Sequence, residues 1–156
     1  MTTTITGATG IDNIKAATGA VLQVVTASNT TAQTITATSW VDTNLSVAIT
    51  PSSTSSKVKI EFSFIGINIS AGSAGCAFRI LRDSTSLFTP TARHSFYSAA
   101  AAGPFYGGYN DMALDSPSTT SEVTYKIQVA GHNTTAVALN YNSLFKDRII
   151  AMEIAG

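Results

Sequence analysis

The chain has 156 residues, with nine basic and nine acidic side chains and one cysteine, so its formal charge is zero. That length supports a single domain burying roughly 68–70% of its unfolded surface. A neutral chain offers no electrostatic footprint for nucleic acid or for an anionic membrane. A lone Cys76 excludes an internal disulfide and reads as a small buried hydrophobe. Charged residues make up 12% of the chain, and 23 threonines and 18 serines take their place. No stretch approaches the ~20 apolar residues of a spanning helix, and residues 1–4 lack the basic start of a signal peptide.

In chain order, the first segment stands apart. Residues 1–19 hold three glycines, six threonines and only spaced isoleucines, Ile5, Ile11 and Ile14. This composition cannot make its own core, so residues 1–19 are expected to be an extended arm that orders against a partner, with those isoleucines as candidate docking residues. Asp12 offers an N-cap for a short helix over residues 11–17. Residues 20–156 form the second unit, and there the hydrophobic period is two.

A strand is predicted over residues 21–26. A weaker alternation follows through Ile35, Ala37, Ser39 and Val41, and a stronger one through Leu45, Val47 and Ile49 until Thr50-Pro51-Ser52-Ser53 breaks it. Val58, Ile60, Phe62 and Phe64 alternate with polar residues, and then the phase flips to Ile65, Ile67 and Ile69. Either a β-bulge lies near residues 64–66, or the strand is buried on both faces at a subunit contact. Strands follow over residues 76–82 and 87–89, with Asp83-Ser84 able to turn a hairpin. Val123, Tyr125, Ile127 and Val129 alternate with Glu122, Thr124, Lys126 and Gln128, the clearest half-buried strand in the chain. Residues 136–141 and 149–154 complete the set. About eight to ten short antiparallel strands, with no repeat of fixed period, predict an all-β domain: a sandwich, jelly roll or small barrel.

The catalytic inventory is thin. His94 and His132 lie in separate segments without a partner at metal-ligand spacing. Gly72-Ser73-Ala74-Gly75 is no nucleophile elbow, since Ala71 stands where the motif needs a glycine. Gly7-Ala8-Thr9-Gly10 follows no strand of adequate length and lacks a third glycine, so it fails as a dinucleotide-binding turn. Asp111 and Asp115 read as solvated turn carboxylates rather than a glycosidase pair or a calcium loop. Four Asn-x-Ser/Thr triplets, at Asn29, Asn44, Asn68 and Asn133, are expected by chance in so threonine-rich a chain. The expectation is no catalysis, no cofactor and no metal.

One segment concentrates contact chemistry. Phe96, Tyr97, Phe105, Tyr106 and Tyr109 bring five of the thirteen aromatic residues into fourteen positions, separated by a small-residue loop from Ser98 to Pro104. Tyrosines beside glycines present large amphipathic area at low entropic cost, suited to a sugar ring or to a neighbouring protein. Tyr97, Phe105, Tyr106 and Tyr109 are therefore candidate partner or glycan contacts; Phe96 and Phe105 read equally well as strand-facing core residues.

Two stretches, Val47 to Ile60 (with Trp40 to Leu45 before it) and Leu114 to Ile127, resemble tail-fibre and other virion proteins of bacteriophages, especially phages of cyanobacteria. Phe78 to Thr85 fits the strand and hairpin between them, and Met152-Glu153-Ile154 matches the closing strand. The resemblance implies a non-enzymatic virion structural protein, trimeric, with a β-sandwich on the particle surface. A short arm in place of a fibre shaft suits a capsid decoration (cement) protein bound to the major capsid protein or other virion proteins. The alternative is a tail-fibre or receptor-binding tip that holds a host surface glycan through the aromatic segment.

Overall fold

The computed structural model describes residues 16–90, 95–99 and 104–156 and shows two antiparallel sheets packed face to face. The expected all-β sandwich is what the chain forms. The strands are β1 (Val21–Asn29), β2 (Gln33–Ile35), β3 (Val41–Ile49), β4 (Lys57–Ile69), β5 (Ala74–Arg82), β6 (Thr85–Ser86), β7 (Phe96–Ser98), β8 (Phe105–Asp115), β9 (Val123–Gly131), β10 (Val137–Leu139) and β11 (Asp147–Ile154). The helical content among the described residues is one 3-10 turn, Tyr141–Ser143. The short helix expected over residues 11–17 falls almost wholly outside the described residues, as do Ile5, Ile11, Ile14 and His94.

The six-stranded sheet is organised by β4. Its thirteen residues pair with β8 along one edge, and with β11 and then β10 along the other; β1 and β2 extend the sheet beyond those two. The five-stranded sheet holds β3, β9 and β5, with β6 and β7 both pairing with β5. The core fills the space between. Val58, Ile60, Phe62 and Phe64 from β4 meet Leu45, Val47 and Ile49 from β3, Tyr125, Ile127 and Val129 from β9, and Phe78 and Ile80 from β5. Aromatic rings bridge the layers: Phe64 stacks on Phe78 (5.0 Å, 19°), and Phe78 stacks on Tyr109 (5.1 Å, 14°).

The phase flip in β4 is a bulge. Ile65 points outward as the alternation requires, and the β4–β8 register then slips between Phe64 and Ile67, which returns Ile67 and Ile69 to the core. The hairpin at Asp83 also forms, with φ of 53° at Asp83 and its carboxylate accepting the Thr124 amide at 3.0 Å. Cys76 is buried, and burial pushes its thiol up to about 12.

Three sequence expectations need correction. Residues 35–41 are not one strand, because β2 belongs to the large sheet and β3 to the small one; the chain crosses between sheets over residues 36–40. Residues 87–89 are not a strand. After the Leu87 amide bonds Ile80 O, the Ser86 hydroxyl donates to Phe88 O and curls the chain away. Asp111 and Asp115 do not lie in a turn but on the eleven-residue β8, which the sequence reading did not anticipate. Asp115 is moreover no solvated carboxylate: its Oδ2 accepts from Arg82 Nη1 and from the Tyr125 hydroxyl, both at 2.7 Å. That trio joins β8 of one sheet to β5 and β9 of the other.

At the same end of the domain, Glu153 fixes the β3–β4 connection. Its Oε1 accepts the Ser52 amide (2.7 Å) and hydroxyl (2.6 Å), and its Oε2 accepts Gln23 Nε2 (2.6 Å). Burial alone would raise this carboxyl; the Ser52 and Gln23 donors outweigh it and hold the group at about 2.

Asp115→Ala leaves the Arg82 guanidinium and the Tyr125 hydroxyl unpaired in a largely buried seam. We expect a loss of about 2–3 kcal/mol in urea unfolding. A midpoint equal to that of the unmodified chain would show that the trio does not hold the sheets together.

Candidate functional site

An aromatic band covers one end of the sandwich. The bulge supplies Ile65, which is 46% exposed, and positions Gly66 beneath the ring of Phe145. A side chain at Gly66 would occupy the space of that ring. Phe145 is carried by the β10–β11 connection, which Asn140 shapes. The buried Asn140 side chain donates to Asn29 O (3.1 Å) and Phe145 O (3.0 Å) and accepts the Phe145 amide (3.0 Å). Asn140, Asn142 and Ser143 all have φ between 48° and 57°, a left-handed backbone that asparagine tolerates better than most residues. The tight loop thrusts Leu144 into solvent, 73% exposed.

Across the sheet, β8 contributes Phe105 and Tyr106, both exposed. Tyr106 meets Tyr141 edge to face at 5.4 Å. A hydrogen bond with Tyr141 is the main reason the Tyr106 hydroxyl titrates above its ordinary value. Phe105 lies 5.3 Å from Phe96 of β7, and Gly107 leaves the room that the Phe96 ring occupies. Tyr97, next in β7, packs edge-on against His132 at 5.3 Å. The band is thus made of separate contacts, Tyr97 with His132, Phe96 with Phe105, and Tyr106 with Tyr141; Phe105 and Tyr106, consecutive in β8, point to opposite faces of the sheet.

Of the four aromatic residues singled out from sequence, Tyr97, Phe105 and Tyr106 belong to this band. Tyr109 instead turns inward, stacked on Phe78 with its hydroxyl donating to Asp111 Oδ2 at 3.2 Å; burial is the main cause of its raised titration. Ile65, Tyr141, Leu144 and Phe145 were not anticipated. The signal available for the last three was Asn140-Tyr141-Asn142-Ser143, a tight-turn sequence followed by two large apolar residues with no core strand to enter.

Two buried polar groups lie under the band. Asn68 is 6% exposed and pairs across the sheet with Tyr106, and its Nδ2 has no hydrogen-bond partner among the described residues. Asp147 is fully buried; its Oδ1 accepts the Ile65 amide at 3.3 Å, which pins the bulge, while Oδ2 is unsatisfied. Burial, only partly offset by donors from Ile65 and Asn29, raises the Asp147 carboxyl above its ordinary value. Among the described residues, no three His, Cys, Asp or Glu side chains are grouped to hold a metal, and no helix is long and apolar enough to cross a membrane. The chemistry the band can offer is stacking, apolar contact and a few hydrogen bonds.

No protein-family model matches the chain, and no curated protein matches it. Solved structures superpose on it loosely. The VP2 subviral particle of infectious bursal disease virus aligns with 86% of this chain and 37% of its own, at 11% identity and a TM-score of 0.45. The structure of the Gt strain of the same virus aligns with 97% of this chain and 43% of its own, at 14% identity and a TM-score of 0.42. The chain thus spans less than half the length of either.

Two outcomes test this architecture. Gly66→Ala drives a methyl into the Phe145 ring, with an expected cost of about 1–3 kcal/mol. Adding Phe145→Ala should recover part of that loss, and strictly additive effects in a double-mutant cycle would refute the contact. Because the folded-state value of Asp147 is raised, its stabilising contribution is present below about pH 3.8 and is lost as pH rises through the folded value. Asp147→Asn should therefore raise the melting temperature at pH 7 and lose that advantage near pH 3. A gain that does not vary with pH would contradict the assignment.

Proposed function

We propose that this chain is a non-enzymatic virion structural protein, a homotrimeric capsid decoration module of a phage particle. The observation that carries the reading is the aromatic band. Ile65, Phe105, Tyr106, Leu144 and Phe145 are each 39–73% exposed at one end of the sandwich. Exposed apolar area concentrated in this way marks a protein contact. The phage-protein resemblance of Val47 to Ile60 and Leu114 to Ile127 supplies the class of partner. In this reading residues 1–19 are an arm that docks on the major capsid protein through Ile5, Ile11 and Ile14, and its last residues are anchored to the domain by the Gly19 amide, which donates to Ala155 O at 2.8 Å.

A second reading is favoured by one observation. Asn68 Nδ2 is a buried donor without a partner among the described residues, on the strand paired with Tyr106. Tyrosine rings beside an amide donor suit a sugar, as in a receptor-binding tip that holds a host surface glycan.

Deleting residues 1–18 separates the two. For a decoration protein, the truncated chain keeps its circular dichroism spectrum but no longer sediments with assembled capsids. For a receptor-binding tip, it binds host cells or glycan as before, while Tyr106→Ala or Tyr97→Ala weakens that binding by about tenfold or more. Capsid binding that survives the deletion counts against the docking arm.

A further inference from the structure

The outer faces of the two sheets carry opposite kinds of surface. On the small sheet the outward side chains satisfy one another. Arg79 donates to Gln128 Oε1 (2.9 and 2.6 Å), Gln128 Nε2 donates to Asp42 Oδ1 (2.6 Å), and Lys126 Nζ pairs with Asp42 Oδ2 (2.8 Å). The guanidinium of Arg79 also lies 4.5 Å from the centre of the Trp40 ring. This is a finished solvent face.

The large sheet is different. Its registers line up Val24, Met152, Lys59 and Leu114 in one row across β1, β11, β4 and β8, and Thr26, Ile150, Glu61 and Met112 in the next. An antiparallel sheet with one face on the core is expected to be polar on the other. Here Val24, Met112 and Leu114 are 54%, 64% and 59% exposed, and Ile150 and Met152 are half-buried between them. The two charges at the centre neutralise each other, Lys59 Nζ lying 2.6 Å from Glu61 Oε1. The row beyond, Ser28, Arg148, Ser63 and Asn110, is polar and separates this patch from the aromatic band. An apolar centre with a polar border is the anatomy of a protein interface.

We infer that this face is the contact between copies of the chain. The inference rests on the homo-oligomeric part of the reading above and names the surface it uses; a face that meets its own copy is isologous and closes as a twofold pair, so it gives a dimer in place of that reading's trimer. Three observations select a second copy as the occupant. Within the two apolar rows the ion pair leaves no unmatched charge, and the exposed Lys57 and Arg148 lie at the border of the face. In a twofold pair each copy brings its own Lys59 and Glu61 to meet the other's in opposite sign. Four strands about 4.8 Å apart and seven residues of about 3.3 Å rise, border rows included, give a projected area of roughly 440 Å². Two such faces bury on the order of 1,000 Å², the lower limit for a specific interface. Finally, β1 and β8 are the outer strands of this sheet, nine and eleven residues long, and each pairs on one side only among the described residues. Long open edges beside an apolar face are an aggregation liability unless an assembly closes over them.

The full chain and its Val24→Glu/Met112→Glu double variant, compared by sedimentation equilibrium at tens of micromolar, provide the test. Both positions are exposed, so the variant should keep its spectrum while its mass falls from a multiple of 16.2 kDa to the single-chain value. A wild-type chain that is monomeric, or a folded variant that keeps the assembled mass, overturns the inference. If the variant does not fold, thiol labelling decides. Met112→Cys should react at least tenfold more slowly than Ala48→Cys, exposed on the small sheet, and the difference should vanish on dilution to monomer. Equal rates overturn the inference. So does protection that is independent of concentration and lost on deleting residues 1–15, which would assign the face to the chain's own arm. The same samples sedimented with capsids keep the two ideas apart: intact assembly without capsid binding leaves this contact standing and defeats the decoration reading.

Discussion

The thirteen-residue strand β4 is the constraint on which the rest depends. Its first half presents Val58, Ile60, Phe62 and Phe64 to the core and Lys59, Glu61 and Ser63 to the outside; its second half returns Ile67 and Ile69 to the core only because the bulge absorbs one step of the alternation. Both edges are occupied, by β8 on one side and by β11 and β10 on the other, so every element of the large sheet takes its register from β4 directly or through one neighbour. The slipped segment also borders the candidate site: Ile65 points outward by the same alternation as Ser63, and Gly66 beside it lies beneath Phe145. Asp147 fixes that geometry at the cost of a buried carboxyl with one unsatisfied oxygen.

From that strand follow three surfaces of different character. The small sheet carries a polar network around Arg79, Gln128 and Asp42. The end of the sandwich at the bulge gathers aromatic side chains from β7, β8 and the β10–β11 loop, a surface for stacking and apolar contact. The outer face of the large sheet holds two apolar rows around a single ion pair. A protein built only to be soluble would have no use for the last two. The assembly proposed above gives both a use, one surface holding copies to each other and the other reaching a different partner.

The legible part of this fold was the part in which one face is buried and the other wet. Leu45 to Ile49, Val58 to Phe64, Val123 to Val129 and Ile149 to Ile154 alternate because their odd and even positions meet different media. The strand β8 was illegible for the opposite reason. Its outward positions include Met112 and Leu114, while Tyr109 and Asp115 face inward and satisfy their polar atoms through Asp111, Arg82 and Tyr125, so polarity no longer reports the face. Residues 35–41 misled because an alternating pattern continued through a crossing between sheets. Within the band, Tyr97, Phe105 and Tyr106 were visible as an aromatic cluster, whereas Tyr141, Leu144 and Phe145 owe their place to a left-handed turn built by Asn140 and Asn142. Such a turn is written in backbone angles rather than in hydrophobic period.

The claim that links these observations is that the apolar outer face of the large sheet is covered by another copy of the chain. Amide hydrogen exchange on the full chain at high and low concentration tests it most directly. The account predicts slower exchange at high concentration in the peptides covering residues 21–29 and 105–115, the open strands that border the face, with residues 41–49 of the small sheet unchanged. Exchange that is independent of concentration in all three would contradict it.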